Sequence, residues 1–290
     1  MSITLQGKAY GKINLGLDVL RKRPDGYHDV KMIMQTVSLH DRITITKLNL
    51  ETDITLETNL NFLPTNENNL VYKAAKLLKD EFSIKEGIAI KLEKHIPVAA
   101  GMAGGSTDAA TTLELINEMF SLGLSKEELM KRAVTLGADV PYCILRGTAL
   151  SEGIGDVLTS LKPIPDCFVF IVKPPIHVST KFVYENLNLQ QLSSHPDIDS
   201  VVAGIEEQNL YAMSEKMENV LESVTENTYP VITEIKGEMM EHGALISLMS
   251  GSGPTVFGIY DDESKIESAA AYFKTTHSSY RTYITKPING

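Results

Sequence analysis

The residues best suited to chemistry lie in Pro97-Val98-Ala99-Ala100-Gly101-Met102-Ala103-Gly104-Gly105-Ser106-Thr107-Asp108, between a segment of strand character and one of helical character. From Val98 to Gly105 every residue except Met102 is small or β-branched and none is charged, so a ligand can approach the backbone closely. The glycines permit a tight turn, and a helix opening near Ser106 aims free N–H groups and the positive end of its dipole into the loop. That is an anion site, most naturally for phosphates. The alternative is a glycine-rich connector from strand to helix. The loop has neither the Lys-Ser/Thr pair of a P-loop nor the glycine spacing of a dinucleotide turn. It contains no lysine, so a cation for phosphoryl chemistry must come from elsewhere in the chain or from Mg²⁺. The seven histidines and two cysteines show no zinc-ligand spacing, and there is no Gly-x-Ser-x-Gly and no protein-kinase signature. Hydrolase and protein-kinase readings have no support.

The elements that must position this loop follow from hydrophobic periodicity. Ile13, Leu15, Leu17 and Val19 alternate with other residues, as do Val30, Met32 and Met34, then Ile43 and Ile45, then Ile54 and Leu56, which predicts strands. Pro24-Asp25-Gly26 marks the turn between the first two. A helix is predicted from about Asn69, a strand over Ile88–Leu92, and a helix carrying Ala109, Ala110, Leu113, Ile116, Met119 and Phe120. Ser125 and Glu128 form a capping box for a further helix ending at Gly137. The proline-rich stretch at 160–166 precedes an apolar strand at 167–172 and is read as the boundary between domains at 1–162 and 163–290. Beyond it come helical stretches at 180–187, 197–225 with a break, and 230–242, then two strands flanking Gly251-Ser252-Gly253, a helix from Asp262 and a strand near 280–285. The fold class is α+β.

The 290 residues, 43% hydrophobic and 22% charged, suit a chain folded throughout, about two domains in size. The longest apolar run is six residues, against about 20 for a membrane-spanning helix. The stretch Met1 to Lys8 lacks the pattern of a secretory signal, so a cytoplasmic address and two free thiols, Cys143 and Cys167, are expected. The formal charge of −10 argues against nucleic acid or an acidic membrane as partner. It leaves an anionic small molecule open, because a pocket is governed by local groups. No oligomeric state is indicated.

Residues 97–110 resemble the second motif of the GHMP kinases. Two further stretches match that superfamily in order, Ala9-Tyr10-Gly11-Lys12-Ile13-Asn14-Leu15 and Ser250-Gly251-Ser252-Gly253-Pro254-Thr255-Val256-Phe257. Arg23-Pro24-Asp25-Gly26-Tyr27-His28 and Leu136-Gly137-Ala138-Asp139-Val140-Pro141 are similar to the branch acting on a cytidine diphosphate conjugate of methylerythritol. The resemblance covers essentially the whole chain. It implies phosphorylation by ATP of the 2-hydroxyl of the methylerythritol unit, a step of non-mevalonate isoprenoid synthesis. It also implies a ribosomal-protein-S5-like N-terminal domain and a ferredoxin-like C-terminal domain, with the sites between them.

Read alone, Lys12 is an exposed strand lysine and Asp139 a capping or turn aspartate. The resemblance makes them the catalytic pair, the carboxylate taking the hydroxyl proton and the ammonium offsetting charge on the reacting oxygens. It assigns Tyr27 and His28 to cytosine and Asn14 to the polyol or phosphate. Tyr184 aligns loosely with a second aromatic wall, or is a core or surface tyrosine. Asn69 and Lys94 match adenine positions, against a helix N-cap and a surface lysine. Ser106 and Thr107 face phosphate oxygens or Mg²⁺, with Ser106 the candidate metal contact, or simply cap the helix; the family more often has Ser where Thr107 stands. Rival readings are a homoserine- or mevalonate-type GHMP kinase and a nucleotide-binding regulator without turnover.

Overall fold

The long hairpin of β1 (Thr4–Lys22) and β2 (His28–Leu48) carries the first run of alternating residues, and its two faces share one property that alternation does not reveal. Ile13, Leu15, Leu17 and Val19 are buried, but so are Lys12, Asn14 and Asp18 on the opposite face of the same strand. A strand buried on both faces with polar groups on one of them is built around interactions those groups make. The predicted turn is present: Arg23 N–H donates to the Tyr27 carbonyl at 2.8 Å, with Gly26 at φ +89°. A computed structural model describes residues 3–49, 53–192 and 194–289, so Met1 and Ser2 of the N-terminal stretch lie outside the described residues.

The chain forms two compact units, each assembled from separated segments. The first comprises residues 1–11, 39–98 and 103–145. Here β3 (Ile54–Thr58) runs parallel to β4 (Gly87–Glu93), which pairs antiparallel with the second half of β2, Ile43 opposite Leu92. Four helices complete the unit: α1 (Leu70–Glu81), α2 (Gly104–Met119), α3 (Lys126–Ala133) and α4 (Val140–Leu145). Gly104 and Gly105 weaken the opening of α2 by roughly 1 kcal/mol each relative to Ala. Fully buried Leu113 and Ile116 each contribute about 1.5–3 kcal/mol, so the helix tolerates a glycine start. It begins two residues before the expected Ser106 because Gly104 and Gly105 already lie in helical conformation. The capping box of α3 is present, Ser125 and Glu128 bonding reciprocally, but α3 stops at Ala133 rather than Gly137. Residues 134–137 follow as turns closing back on Ala133 and nearby carbonyls.

The second unit comprises residues 12–38, 99–102 and 146–290. The first half of β2 pairs with β5 (Thr148–Glu152), which turns into β6 (Val157–Ser160). A four-stranded antiparallel sheet has the order β10-β7-β9-β8, from β7 (Phe168–Lys173), β8 (Ile246–Met249), β9 (Val256–Tyr260) and β10 (Arg281–Thr285). On it pack α9 (Val231–Glu241) and α10 (Glu263–Thr276), around Phe170, Phe257, Tyr260 and Phe273. The stretch expected as one interrupted helix over 197–225 is three helices, α6 (Ile198–Glu206), α7 (Leu210–Glu215) and α8 (Glu222–Thr228); α5 (Thr180–Asn186) precedes them. The unit is closed by distant segments: Ser38 N–H donates to the Lys286 carbonyl and Ile288 N–H to the Thr36 carbonyl. Cys143 and Cys167 are buried and form no disulfide, and among the described residues no helix is long and apolar enough to cross a membrane.

Candidate active site

The glycine loop departs from relaxed backbone at several places. Ala99 and Ala103 take φ of +51° and +55°, a left-handed conformation costing an alanine about 1–2 kcal/mol, and Gly101 lies at +70°. Strain of this kind collects where a backbone must present its amides in a fixed direction. Ala103 is the N-cap of α2 and offers no side-chain cap, so the amides of the first turn are left for an acceptor that is not a side chain. Ser106 and Thr107, expected as phosphate contacts or caps, do not cap the helix; Ser106 is half-buried and Thr107 buried.

Beneath this helix start, in the same unit, lies a buried charge cluster. The Lys94 ammonium bonds Asp41 Oδ2 and, at 2.7 Å, Asp108 Oδ2. Asp41 Oδ1 also accepts the amides of His95 and Ile96, at 2.5 and 2.8 Å. A Cβ on Gly104 would stand 3.2 Å from Lys94 Nζ, so the ammonium lies directly against the first residue of α2. Lys94 is therefore not a surface lysine, and its head is engaged by carboxylates. Burial opposes its charge, but Asp108 and Asp41 outweigh that and raise its pKa. Burial also pushes the Asp108 carboxyl up; Lys94 pulls it back and Asp41 pushes it further, to about 8. Its Oδ1 is buried without a hydrogen-bond partner, in keeping with a carboxyl that holds its proton at neutral pH.

This cluster sets a pH dependence. A carboxyl whose native pKa lies above its unfolded value of 3.8 binds its proton more tightly in the folded state. Its stabilisation is complete below the unfolded pKa and is lost as pH rises through about 8. Urea denaturation at pH 5, 7 and 9 is expected to show declining stability in the wild type and a flatter profile in Asp108→Asn. Identical slopes in the two proteins would show that Asp108 does not titrate this way.

Within the second unit, the first and third glycine-bearing stretches meet part of the second. Lys12 is 5% exposed, not the exposed strand lysine that its sequence suggests in isolation, and its Nζ donates to Asn14 Oδ1 at 2.6 Å and to the Gly101 carbonyl at 2.8 Å. Asn14 Nδ2 points to Met32 Sδ at 3.4 Å. Ser250 Oγ donates to the same Gly101 carbonyl at 2.9 Å. A Cβ on Gly251 would lie 3.5 Å from both Lys12 Nζ and Asn14 Oδ1. The ammonium is thus fixed by strand β1, by loop residue Gly101 and by the 250–253 turn.

At the hairpin tip, Tyr27 is 60% exposed, and the rings of His28 and Tyr184 lie 5.1 Å apart at 36°. Tyr184 is half-buried. Burial, and then the charge of Lys22, hold the His28 imidazole below its ordinary range, so it is neutral at pH 7 and can both donate and accept. In the first unit, the Asp139 carbonyl accepts the Cys143 amide at 3.1 Å, which sets the residue at the opening of α4, half-buried, with no hydrogen bond or ion pair to its carboxylate among the described residues of its unit. Asn69 caps α1, its Oδ1 accepting the Val71 amide at 2.9 Å and its Nδ2 donating to the Pro64 carbonyl at 2.8 Å. Among the described residues no group of three or more His, Cys, Asp or Glu side chains is arranged to hold a metal ion.

Two elements of the site region have no counterpart in the sequence reading. Helix α4 is six residues, five of them buried, too short and too uniformly apolar for a period to show. Asn219, in the break before α8, joins the 249–251 turn through its side chain. An asparagine before a helix suggests a local cap and gives no hint of such a distant contact.

Comparison with known proteins identifies the family. The family model of the GHMP kinases N terminal domain matches residues 69–147 and that of the GHMP kinases C terminal matches residues 201–278. The chain is similar to the 4-diphosphocytidyl-2-C-methyl-D-erythritol kinase of Lachnoclostridium phytofermentans, with 60% identity over 96% of each chain. A crystal structure of 4-(cytidine 5'-diphospho)-2C-methyl-D-erythritol kinase superposes with a TM-score of 0.82 at 28% identity, covering 99% of this chain and 100% of that one. A homoserine kinase from Cytophaga hutchinsonii shares the fold, with a TM-score of 0.80 at 19% identity over 100% and 96% of the two chains. The mixed α+β architecture with two sheets is the two-domain GHMP kinase fold, and the chain belongs to the GHMP kinases and, within them, to the 4-diphosphocytidyl-2-C-methyl-D-erythritol kinase family of small-molecule kinases.

Proposed function

We propose that the chain transfers the γ-phosphoryl group of ATP to the 2-hydroxyl of 4-diphosphocytidyl-2-C-methyl-D-erythritol, giving the 2-phosphate and ADP, in the non-mevalonate isoprenoid pathway. The observation that carries this reading is the convergence at Lys12: stretches 9–15, 97–110 and 250–257, each resembling a kinase motif, contribute Lys12 with Asn14, Gly101, and Ser250 with Gly251 to one cluster. The uncapped opening of α2 supports a phosphate site formed by Pro97 to Thr107. Asp139 accepts the proton of the attacking hydroxyl as the new O–P bond forms and the bond to the ADP oxygen breaks; Lys12 offsets charge on the reacting oxygens. Asn14 orients the acceptor. The side chains of Asn69 and Lys94 serve the nucleotide indirectly, by fixing α1 and the glycine loop.

Ser106 and Thr107 offer hydroxyl oxygens at the helix opening while the nearby Asp41 and Asp108 carboxylates are engaged by Lys94, which fits a Mg²⁺ ion carried in on the nucleotide, with Ser106 as its protein contact. Such an ion neutralises phosphate charge. The domains are taken as 1–162 and 163–290, a division supported by the family matches falling on either side of it, with residues 12–38, 99–102 and 146–162 packing in the second compact unit. A cytoplasmic location accords with a small-molecule substrate.

The test is ADP release across a panel of the cytidyl-methylerythritol diphosphate, homoserine, mevalonate and galactose. Turnover is expected with the first alone. Preference for homoserine or mevalonate would move the chain to another substrate, and ATP binding without turnover on any of the four would make it a regulator.

Cytosine recognition is assigned to Tyr27 and His28, backed by Tyr184. Stacking on a base is worth roughly 1–3 kcal/mol, so Tyr27→Ala with His28→Ala is expected to raise the KM for the cytidyl substrate about ten- to hundredfold and leave ATP affinity nearly intact. Weakened ATP binding with unchanged acceptor KM would place the base elsewhere.

A further inference from the structure

The turn at 250–253 abuts Lys12 and Asn14, yet it connects two strands of the sheet and has no covalent tie to β1 on which both residues stand. Its anchor is Asn219, which is 5% exposed. The side-chain Nδ2 donates to the carbonyls of Met249 and Gly251, at 2.7 and 2.8 Å, and Oδ1 accepts the Leu221 amide at 3.0 Å. All the strong hydrogen-bonding capacity of the amide is thereby directed at backbone. The backbone around Asn219 is in turn stitched to β1: Leu17 N–H donates to the Glu218 carbonyl at 2.9 Å and Val220 N–H to the Leu17 carbonyl at 3.0 Å. A second tie holds the same end of the turn, where Glu222 Oε1 accepts the Met249 amide at 2.6 Å while its Oε2 is paired with Lys236.

We infer that Asn219 is a positioning residue for phosphoryl transfer, setting the Gly251 backbone against Lys12 and Asn14 and so holding the ammonium on the Gly101 carbonyl. Leu17, the strand residue bonded to the Asn219 segment, lies five positions along β1 from Lys12, and Ser250 directly follows Met249, whose carbonyl Asn219 holds. The asparagine is a short rigid link between the strand that bears the ammonium and the turn that walls it in. An aspartate of the same shape would set a carboxylate against two carbonyl oxygens, keep the Leu221 bond and push the turn away. The consequence falls on the geometry of Lys12 and not on the hairpin tip, where Tyr27, His28 and Tyr184 stand.

The inference rests on the reading of Lys12 as catalytic, and two measurements separate the two ideas. One is steady-state kinetics of Asn219→Asp and Asn219→Ala on the full chain, at a temperature where thermal denaturation shows both fully folded. At saturating substrates kcat is expected to fall at least about tenfold while both KM values stay within about threefold. The other needs no substrate: the rate at which a lysine-selective acylating reagent labels Lys12, followed by peptide mass spectrometry, is expected to rise severalfold in both variants, with labelling of exposed Lys76 in the first unit as internal reference. Unchanged Lys12 labelling, or kcat within about threefold of wild type, overturns the positioning role. Failure of both variants to fold also overturns it, since Asn219 would then hold up the unit as a whole. If the wild type itself releases no ADP with the cytidyl substrate while Lys12 labelling responds as expected, the link stands and the proposed reaction falls.

Discussion

Asp139→Asn is expected to reduce kcat by roughly 10²- to 10⁴-fold, about 3 to 5 kcal/mol of barrier, with both substrates still binding. The substitution keeps the shape of the side chain and the position at the opening of α4, which the backbone bond from Cys143 fixes regardless of side chain. It removes the group that can take the hydroxyl proton. No hydrogen bond or ion pair to the carboxylate is broken among the described residues of its unit, so the fold has little reason to respond. Phosphoryl transfer depends heavily on positioning and electrostatics, which is why Lys12→Met is expected to be similarly damaging. The double variant should lose less than the product of the single losses, as residues acting as a unit do. Turnover is to be measured with folding and ATP affinity checked. An Asp139→Asn enzyme within about threefold of wild type would return the residue to a turn aspartate.

The second large effect belongs to Gly101→Ala. The residue lies at φ +70°, and an added Cβ would fall 2.0 Å from the Ser250 carbonyl oxygen and 3.3 Å from that of Gly253. Neither neighbour is the end of a flexible side chain. The loop must shift, and with it the Gly101 carbonyl that receives both Lys12 Nζ and Ser250 Oγ. Strain and overpacking together set a stability loss of about 2–4 kcal/mol, or roughly 5 °C and more in Tm for a chain of this size. Because the ammonium loses an acceptor at the same time, kcat should fall beyond what unfolding explains. Gly105→Ala is the internal control: its Cβ would meet only Leu70 Cδ1, at 3.6 Å, in helical backbone, and its stability should change by less than about 1 kcal/mol. Equal stabilities of the two variants would contradict the tight approach at Gly101.

Elements with strong local signals were legible in the sequence. Asn69, Ser125 and Asp262 each cap the helix their position predicts, and the alternating runs became strands. The glycine loop was legible as a tight turn opening into a helix because a few residues specify both. Burial of Lys12, Asn14 and Asp18 was not, since a polar alternator on a strand reads as solvent-facing until tertiary structure covers it. The burial of Lys94 was not legible for a related reason: its partners Asp41 and Asp108 stand 53 and 14 residues away, and no local pattern joins three charges into one buried cluster. Asn219 is the extreme case, its importance lying in carbonyl groups about 30 residues downstream.

The closure of the second unit by residues 36–38 and 286–288 governs how the protein comes into being on the ribosome. Synthesis runs from the N-terminus, so the first half of β2, with buried Ile33 and Met34, exists long before Lys286 and Ile288 are made to complete its surroundings. β7 likewise waits for β9 and β10. Pairings this distant in sequence form slowly, and the half-built intermediate shows apolar strand surface to its neighbours. The first unit, whose last segment ends at Leu145, can condense while the rest of the chain is still being translated. Lys12 and Asn14 stand in the unit that finishes last, and their cluster needs the 250–253 turn. A nascent chain therefore forms helix α2 early, whereas residues 99–102 of the glycine loop and the Lys12 ammonium become ordered only near the end of translation.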